Sequence, residues 1–511
     1  MPIPRRRIDV NLEELDQIID RGRQAPLSES DGQKLKVALH TMADQLMPKR
    51  TTEKTSAVLS TTAAEAAAPS EVEKQKPAGH GRHSVAAFVG ASRVVIPHAT
   101  LQPGHTCPEC SQGKVYRQKN PATIVRFIGQ APLQATVYEM ERLRCNACGQ
   151  VFTAAAPQAA QGDKYDATAV AIIALLKYGT GVPFKRLERL EAQLSIPLPT
   201  AVQWELMAMA AKLLWPMWEA LIRFAAQGSV FHNDDTGMRI LRLVREVGDK
   251  RTGVFTSGII SIVATYRIAL FFTGPKHAGE NIARVLKERP QALPPPIQMC
   301  DALSRNSPKP AGVKVLEANC LAHGRRQIVE VAENFPEESR YVLEALGTVY
   351  HNDALAREQE LSPEQRLRFH QEHSEPVMNE LQRWMAVQLA EHRVEPNSGL
   401  GKAISYLLRH WSKLTLFLSV AGAPIDNNLV ERALKKAILN RRNALYYRTL
   451  NGAHTGDLFM SLIHTCELNA ANPFDYLTEL LWHADELAAS PDDWMPWNYR
   501  ETIARLQPVA A

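Results

Sequence analysis

Apolar positions along the chain change their period several times, and each change marks a new element. Over residues 8–48 they recur at helical spacing. Leu12, Leu15, Ile18 and Ile19 stripe one helix, and Leu35, Leu39, Met42 and Leu46 a second, with Ser28 or Ser30 as its N-cap. Residues 1–48 therefore read as an N-terminal helical element, too small to bury much core alone. It is either an oligomerisation or DNA-end-binding element or a pair docked on the main body. Residues 49–83 are Thr, Ala, Ser, Glu, Lys and Pro with little to bury, and read as a mobile linker. Over residues 84–156 the stretches "VYRQKN", "TIVRFIG" and "TVYEMERLRC" predict strands.

Helical period returns over residues 157–227, in "YDATAVAIIALLKYG", "PFKRLERLEAQL" and a long segment from Thr200. The Pro-interrupted break "SIPLP", with Thr200 as N-cap of the next helix, fits a helix-turn-helix-like DNA-binding region with Gln203 toward the groove; it equally fits an ordinary bundle. From Gly228 the period is that of strands: "SVFHNDDT", "MRILRLVRE", "GVFTSGIISIV" and "YRIALFFTG". Then come a helix, "AGENIARVLKER", a strand ending at Asp301, and a strand running into a helix, "VKVLEANCLAHGRRQIVEVAENF". This order predicts a ribonuclease-H-like α/β domain, a mixed sheet with helices on both faces. Its first part covers 228–336, a helical insertion 337–420 and its last part 421–482, with a tail at 483–511. The expected class is multidomain α+β.

Size and charge refine this picture. A chain of 511 residues accommodates several domains, and a net charge of only +5 means that any nucleic-acid role rests on local basic patches. The N-terminus lacks the apolar core of a secretory signal. The most apolar stretch, "GVFTSGIISIVATYRIALFF", contains Arg267 and β-branched residues suited to buried strands, so a cytoplasmic protein without membrane contact is expected. Of seven cysteines, Cys107, Cys110, Cys145 and Cys148 form two C-x-x-C pairs separated by 34 residues. Four thiolates on two knuckles suit one structural Zn²⁺ in a zinc ribbon. Arg117, Lys119, Arg126, Arg142 and Arg144 could carry that ribbon onto a phosphate backbone. Cys320 and His323 form a C-x-x-H pair without a matching second pair, and read as a core cysteine beside an exposed histidine rather than as another zinc site.

Three carboxylates fall at element edges. Asp234 ends the first strand, Asp301 ends a later strand of the same sheet, and Glu431 starts the last helix. Clustered carboxylates hold hard cations, and two ions about 3.5–4 Å apart can serve both oxygens of an in-line phosphoryl displacement. Taken singly, Glu431 could close a capping box with Asn428, and Asp301 could cap a following helix. His232 and His323 would border such a site. Behind Glu431 stand Arg432, Lys435, Lys436, Arg441 and Arg442, which suit a DNA backbone.

The segments "FHNDDTGMRIL", "QMCDALSRN", "CLAHGRR", "DNNLVERA" and "SLIHTCELNAANPFDYLTELL" resemble those of the insertion-sequence-66 family, DDE-type transposases. The resemblance runs over most of the chain. Asp235 stands where the family has Glu, and Leu321 where it has Trp. The resemblance implies Asp234, Asp301 and Glu431 as catalytic ligands of two Mg²⁺ (or Mn²⁺) ions, although Asp235 competes with Asp234 for the first place. Strand alternation sends the two aspartates to opposite faces, so only one joins the cluster. It also implies cleavage at transposon ends, strand transfer into target DNA, a homodimer or higher oligomer on paired ends, accessory proteins from the same element, and a nucleoid-associated bacterial protein. Two other readings stay open: a ribonuclease-H-like nuclease without strand transfer, and a catalytically inactive DNA-binding protein.

Overall fold

The computed structural model describes Ser28, Asp31, Val58 and residues 93–506, apart from 119–121, 125, 127–129, 145, 147, 149, 245–250 and 309–313. Most of the expected N-terminal helices, the linker and Cys145 thus lie outside the described residues. Ser28 Oγ accepts the Asp31 N–H at 3.1 Å, the bond expected of an N-cap. The chain divides into a unit Ala67–Pro132 and a second unit made of Met1–Ala66 and Leu133–Ala511.

In the smaller unit the first C-x-x-C pair sits on a tight knuckle. Cys107 N–H donates to Gly113 O at 2.7 Å and Ser111 N–H to Cys107 O at 2.9 Å, with Ser111 at φ 55°. Neither "VYRQKN" nor "TIVRFIG" forms a strand among the described residues. In the larger unit "TVYEMERLRC" is extended only at its end. There β1 (Arg142–Arg144) pairs antiparallel with β2 (Val151–Thr153), and Cys148 lies in the intervening turn. The side chains of β1 and β2 are exposed, so no core rewards longer pairing.

Helices follow: α1 (Ala167–Ala174), capped by Asp166, then α2 (Phe184–Gln193) and α3 (Thr200–Ala225). Thr200 is the first residue of α3 rather than its cap, and its hydroxyl donates to the Glu188 carboxylate. Gln203 faces inward, not toward a groove. It is fully buried, and its amide donates to Phe184 O at 3.1 Å and Leu198 O at 3.0 Å, tying α2 and the loop to α3. The interior side chain of an apolar helix has no other way to satisfy its N–H groups.

The strands are β3 (Val230–Gly237), β4 (Ile240–Arg242), β5 (Phe255–Val263), β6 (Tyr266–Gly274), β7 (Ile297–Cys300), β8 (Leu316–Asn319) and β9 (Tyr447–Thr449). Five form one mixed sheet in the order β6-β5-β3-β7-β8. β3, β5 and β6 run antiparallel, while β7 and β8 run parallel to β3. The "MRILRLVRE" strand departs from expectation: among its described residues only β4 forms, and it pairs in parallel with β9, outside this sheet. The remaining helices are α4 (Ala278–Leu286), α5 (Leu321–Val329), α6 (Pro336–Glu358), α7 (Pro363–His373), α8 (Glu375–Ala390), α9 (Gly399–Arg409), α10 (Trp411–Leu414), α11 (Asn428–Ala444), α12 (Leu450–Leu468), α13 (Pro473–Trp482), α14 (Ala484–Ala489) and α15 (Tyr499–Leu506). Two cores flank the sheet. One joins α1, α3, α11, α12 and α13 to β5 and β6; the other joins α5, α6, α8 and α9 to β7 and β8. No helix among the described residues is long and apolar enough to cross a membrane.

Candidate functional site

β3 and β7 are adjacent and parallel, with Val230 opposite Ile297 and His232 opposite Met299. Two residues further on, this register sets Asp234 beside Asp301, which directly follows β7; Asp234 does not end its strand as expected but lies three residues short of the end of β3, at Gly237. The loop after β7 is pinned by a buried amide network. Asn233 and Gln298 both donate to Asn306 O at 2.8 Å, and Gln298 also donates to Asn233 Oδ1 at 2.8 Å. Asn306, fully buried, directs its own amide to both carboxylates: to Asp234 Oδ1 at 3.4 Å, and to Asp301 Oδ1 in a shorter bond. Asp301 caps no helix; a turn follows it, and its Oδ1 also takes the Leu303 N–H at 3.3 Å.

Adjacent Asp235 lives in a different environment. Its side chain is 2 % exposed, 2.8 Å from His277 Nδ1 and 3.8 Å from Arg305 Nη2. Period-2 alternation separates the two aspartates, and only the second has an Arg and a His beside it. Among the described residues no Lys or Arg pairs with Asp234. Burial above all raises its pKa to about 7, against the lowering effect of the Asp235 N–H. The charges of Asp301, Asp235 and Glu431 raise it further. Asp234 thus feels three other carboxylates besides its burial.

Glu431 arrives on α11. Val430, Ala433, Leu434 and Ala437 form the buried stripe of that helix. Gly258 is the partner of Asp234 across β5, and a Cβ there would meet Leu434 at 3.0 Å and Val430 at 3.2 Å. The missing side chain lets α11 settle onto the sheet beside Asp234. Buried Asn427 fixes the start of the helix: its amide donates to Asn233 O at 3.1 Å, and its Oδ1 accepts from His232 Nδ1 at 3.1 Å. Burial lowers the His232 pKa to about 4, so the ring is neutral and acts as a strut. No capping box forms with Asn428, which is held instead by Asp426. Glu431 stands 3.8 Å from His323 and is part-exposed.

The cations behind Glu431 split into two groups. Arg432, Lys435 and Arg442 are exposed. Lys436 pairs with Glu467 at 2.8 Å, and Arg441 binds Thr236 Oγ1 at 3.0 Å and Gly237 O. These last two correct the expectation of a uniformly DNA-facing row. At 100° per residue Arg441 falls on the packed side of the helix and Lys436 at its margin. Asn306, Asn427, Gln298, Asn233 and His277 were not singled out in the sequence. The triplet "DNN" was the one available signal, and it entered only through the capping-box reading of Asn428 and the family-like segment "DNNLVERA".

A family profile described as "Transposase IS66 family" matches residues 163–455. The chain belongs to the IS66 transposase family. Asp234, Asp301, Cys320, His323 and Glu431 all lie within the matched span of this IS66-family chain. Two relatives from Sinorhizobium fredii extend the likeness beyond it. The uncharacterized protein y4jD is 25 % identical over 435 residues, covering 82 % of this chain and 84 % of its own. The uncharacterized protein y4hP is 24 % identical over 438 residues, covering 80 % and 76 %.

Proposed function

We propose that this IS66-family chain is a metal-dependent DNA transposase. In this reading Asp234, Asp301 and Glu431 hold two Mg²⁺ or Mn²⁺ ions at a ribonuclease-H-like sheet edge. The observation that carries it is the uncompensated set of carboxylates at that edge: Asp234 and Asp301 share one amide, and Glu431 adds its charge. Hard oxygen donors with no Lys or Arg partner among the described residues fit such ions, and a divalent cation would offset the burial that chiefly raises the Asp234 pKa as well as the repulsion of its neighbours. The strand order, with three antiparallel strands followed by two parallel ones, supports the ribonuclease-H-like assignment. The ions, when bound, supply activation of the attacking oxygen and charge stabilisation of the leaving oxygen. The protein's own part is positioning. Asn306 orients Asp234 and Asp301, and Asn427 with Gly258 sets the height of α11, hence of Glu431.

Cys107, Cys110, Cys145 and Cys148 are proposed to hold one structural Zn²⁺. The knuckle supports this: N–H groups of Gln112 and Gly113, together with Cys107, pull the Cys110 thiol below its usual value, as suits a thiolate ligand. DNA is the proposed partner, with exposed Arg432, Lys435 and Arg442 along its backbone, and with a homodimer or higher assembly on paired ends. The test incubates the full chain with duplexes carrying the element's terminal repeats, Mg²⁺ and a target plasmid. Nicking at the repeat boundary and joining of the cut end to plasmid are expected. Nicking without joining would make the chain a nuclease, and binding without nicking a DNA-binding protein.

A further inference from the structure

Cys320 and His323 open α5 at C-x-x-H spacing, one helical turn apart, and Glu431 faces them from the start of α11. One ligand atom from each residue lies within 4.8 Å of the other two. His323 Nδ1 is shielded from solvent, has no hydrogen-bond partner among the described residues, and stands 3.8 Å from Glu431 Oε1. A shielded ring nitrogen without a partner is costly unless something completes it. Cys320 Sγ, also buried, accepts the Asn427 N–H at 3.2 Å. Supporting hydrogen bonds of that kind orient metal ligands. The expectation of a core cysteine beside an exposed histidine therefore describes Cys320 but not the half-buried His323.

We propose that Cys320, His323 and Glu431 form a binding site for one zinc-class cation, distinct from the C-x-x-C knuckles and sharing Glu431 with the acidic edge. A thiolate, an imidazole and a carboxylate suit Zn²⁺ or Co²⁺, and three protein ligands leave a fourth position open. Mg²⁺ prefers oxygen donors, so softness sorts the two kinds of ion between the two sites. On binding, the Cys320 S–H bond breaks, the sulfur–metal bond forms, and the proton leaves to solvent. Occupancy draws the Glu431 carboxylate toward α5, so a zinc-class ion antagonises Mg²⁺-dependent cleavage; this consequence alone rests on the transposase reading.

The test titrates the full chain, purified with its knuckle zinc in place, with Co²⁺, following thiolate-to-cobalt absorption. Wild type should bind one more ion than Cys320→Ser or His323→Ala, or bind it about 10–100-fold more tightly. Equal uptake and affinity in all three proteins would overturn the site. His323→Ala removes a half-exposed side chain, so it decides the matter even where Cys320→Ser folds poorly. In the cleavage assay, excess Zn²⁺ should inhibit wild type and spare His323→Ala. Extra uptake without inhibition would overturn the sharing of Glu431. A chain that cleaves no DNA would sink the transposase reading while the ion count still decides the site.

Discussion

Two acidic sites in this molecule, buried Asp353 and the part-buried carboxylates at the sheet edge, are built on opposite plans. In the helical segment between α5 and α11, Asp353 is enclosed by Arg357 at 2.8 Å, Arg366 at 2.5 Å and His370 at 3.4 Å. Burial pushes its pKa up, but the His370 bond and the two arginines outweigh it, and the carboxyl lies below its usual range. At the sheet edge, no Lys or Arg pairs with Asp234, Asp301 or Glu431 among the described residues. Burial and like charge there push Asp234 up to about 7. The first cluster supplies its own cations and needs nothing more. The second keeps its charge uncompensated, an arrangement that costs stability and is explained by a cation from outside. Asp234 and Asp235 show the same contrast between adjacent residues.

The comparison breaks most sharply at Asp301. Asp301→Asn should lower Mg²⁺-dependent end cleavage by about 10³-fold or more, since several kcal/mol of charge stabilisation depend on the ions. The folded state and DNA binding should persist; a variant that still cleaved at near wild-type rate would end the three-carboxylate assignment. Asp353→Ala should do the reverse. Removing one partner from a buried charge cluster costs about 3–5 kcal/mol, read by denaturant titration, while the folded fraction keeps its specific activity. Next comes Gly258→Val, whose branched side chain would meet Leu434 and Val430. Overpacking of this kind costs about 1–3 kcal/mol. Because it lifts α11, cleavage should fall more than stability does, and the smaller Gly258→Ala should be milder on both counts.

Much of this architecture was legible in the chain. Strand period located β3, β5, β6 and β7, and helical period located α11, because both faces of the sheet are buried and the apolar pattern follows the packing. Asp301 follows the end of β7 as expected, whereas Asp234 lies inside β3, which continues to Gly237. What escaped was tertiary. "MRILRLVRE" has strand composition, yet among its described residues only Ile240–Arg242 form a strand, paired with β9 some two hundred positions away. Gln203 looked like a surface reader because polarity is local information, whereas its two carbonyl acceptors come from α2 and the following loop. Asn306 and Asn427 carry no periodic signal. Their roles exist only once β3, β7 and α11 are assembled.

A fourth test uses protons. Asp234 in the folded chain keeps a proton between its ordinary range and about pH 7 that the unfolded chain has lost. Stability of the metal-free protein therefore falls as pH rises through that window. Buried Asp457, also raised to about 7 by burial, contributes the same slope but sits on Thr273, with no carboxylate among the causes of its shift. Excess Mg²⁺ should accordingly stabilise the fold more at about pH 8 than at about pH 6, by about 1 kcal/mol at pH 8 for a tenfold excess over Kd, read as the larger rise in Tm. Asp234→Asn should abolish the increment and leave the Asp457 slope. An increment equal at both pH values would show that no proton competes with the ion, and would detach the raised carboxyl from the metal site.

The smallest effects come from the cations of α11, which obey the same rule of compensated and uncompensated charge. Lys436 is already paired with Glu467, and its side chain is 15 % exposed. Lys435 and Arg442 are exposed and, with Glu431, fall on one stripe at i, i+4 and i+11. If DNA runs along that stripe, Lys435→Ala and Arg442→Ala should each reduce the slope of log K against log salt by about 0.9, one phosphate contact apiece. Preference for end over random DNA should be nearly unchanged, since phosphate contacts position the duplex and carry little sequence information. Lys436→Ala should leave the slope as it is, because its charge is spent inside the protein. A slope that fell with Lys436 and not with Lys435 would mean that the Glu467 pair opens on DNA and that the duplex crosses α11 on its other margin. Loss of end preference with little loss of non-specific affinity would make this helix the sequence reader, a role for which buried Gln203 is unavailable in the folded chain.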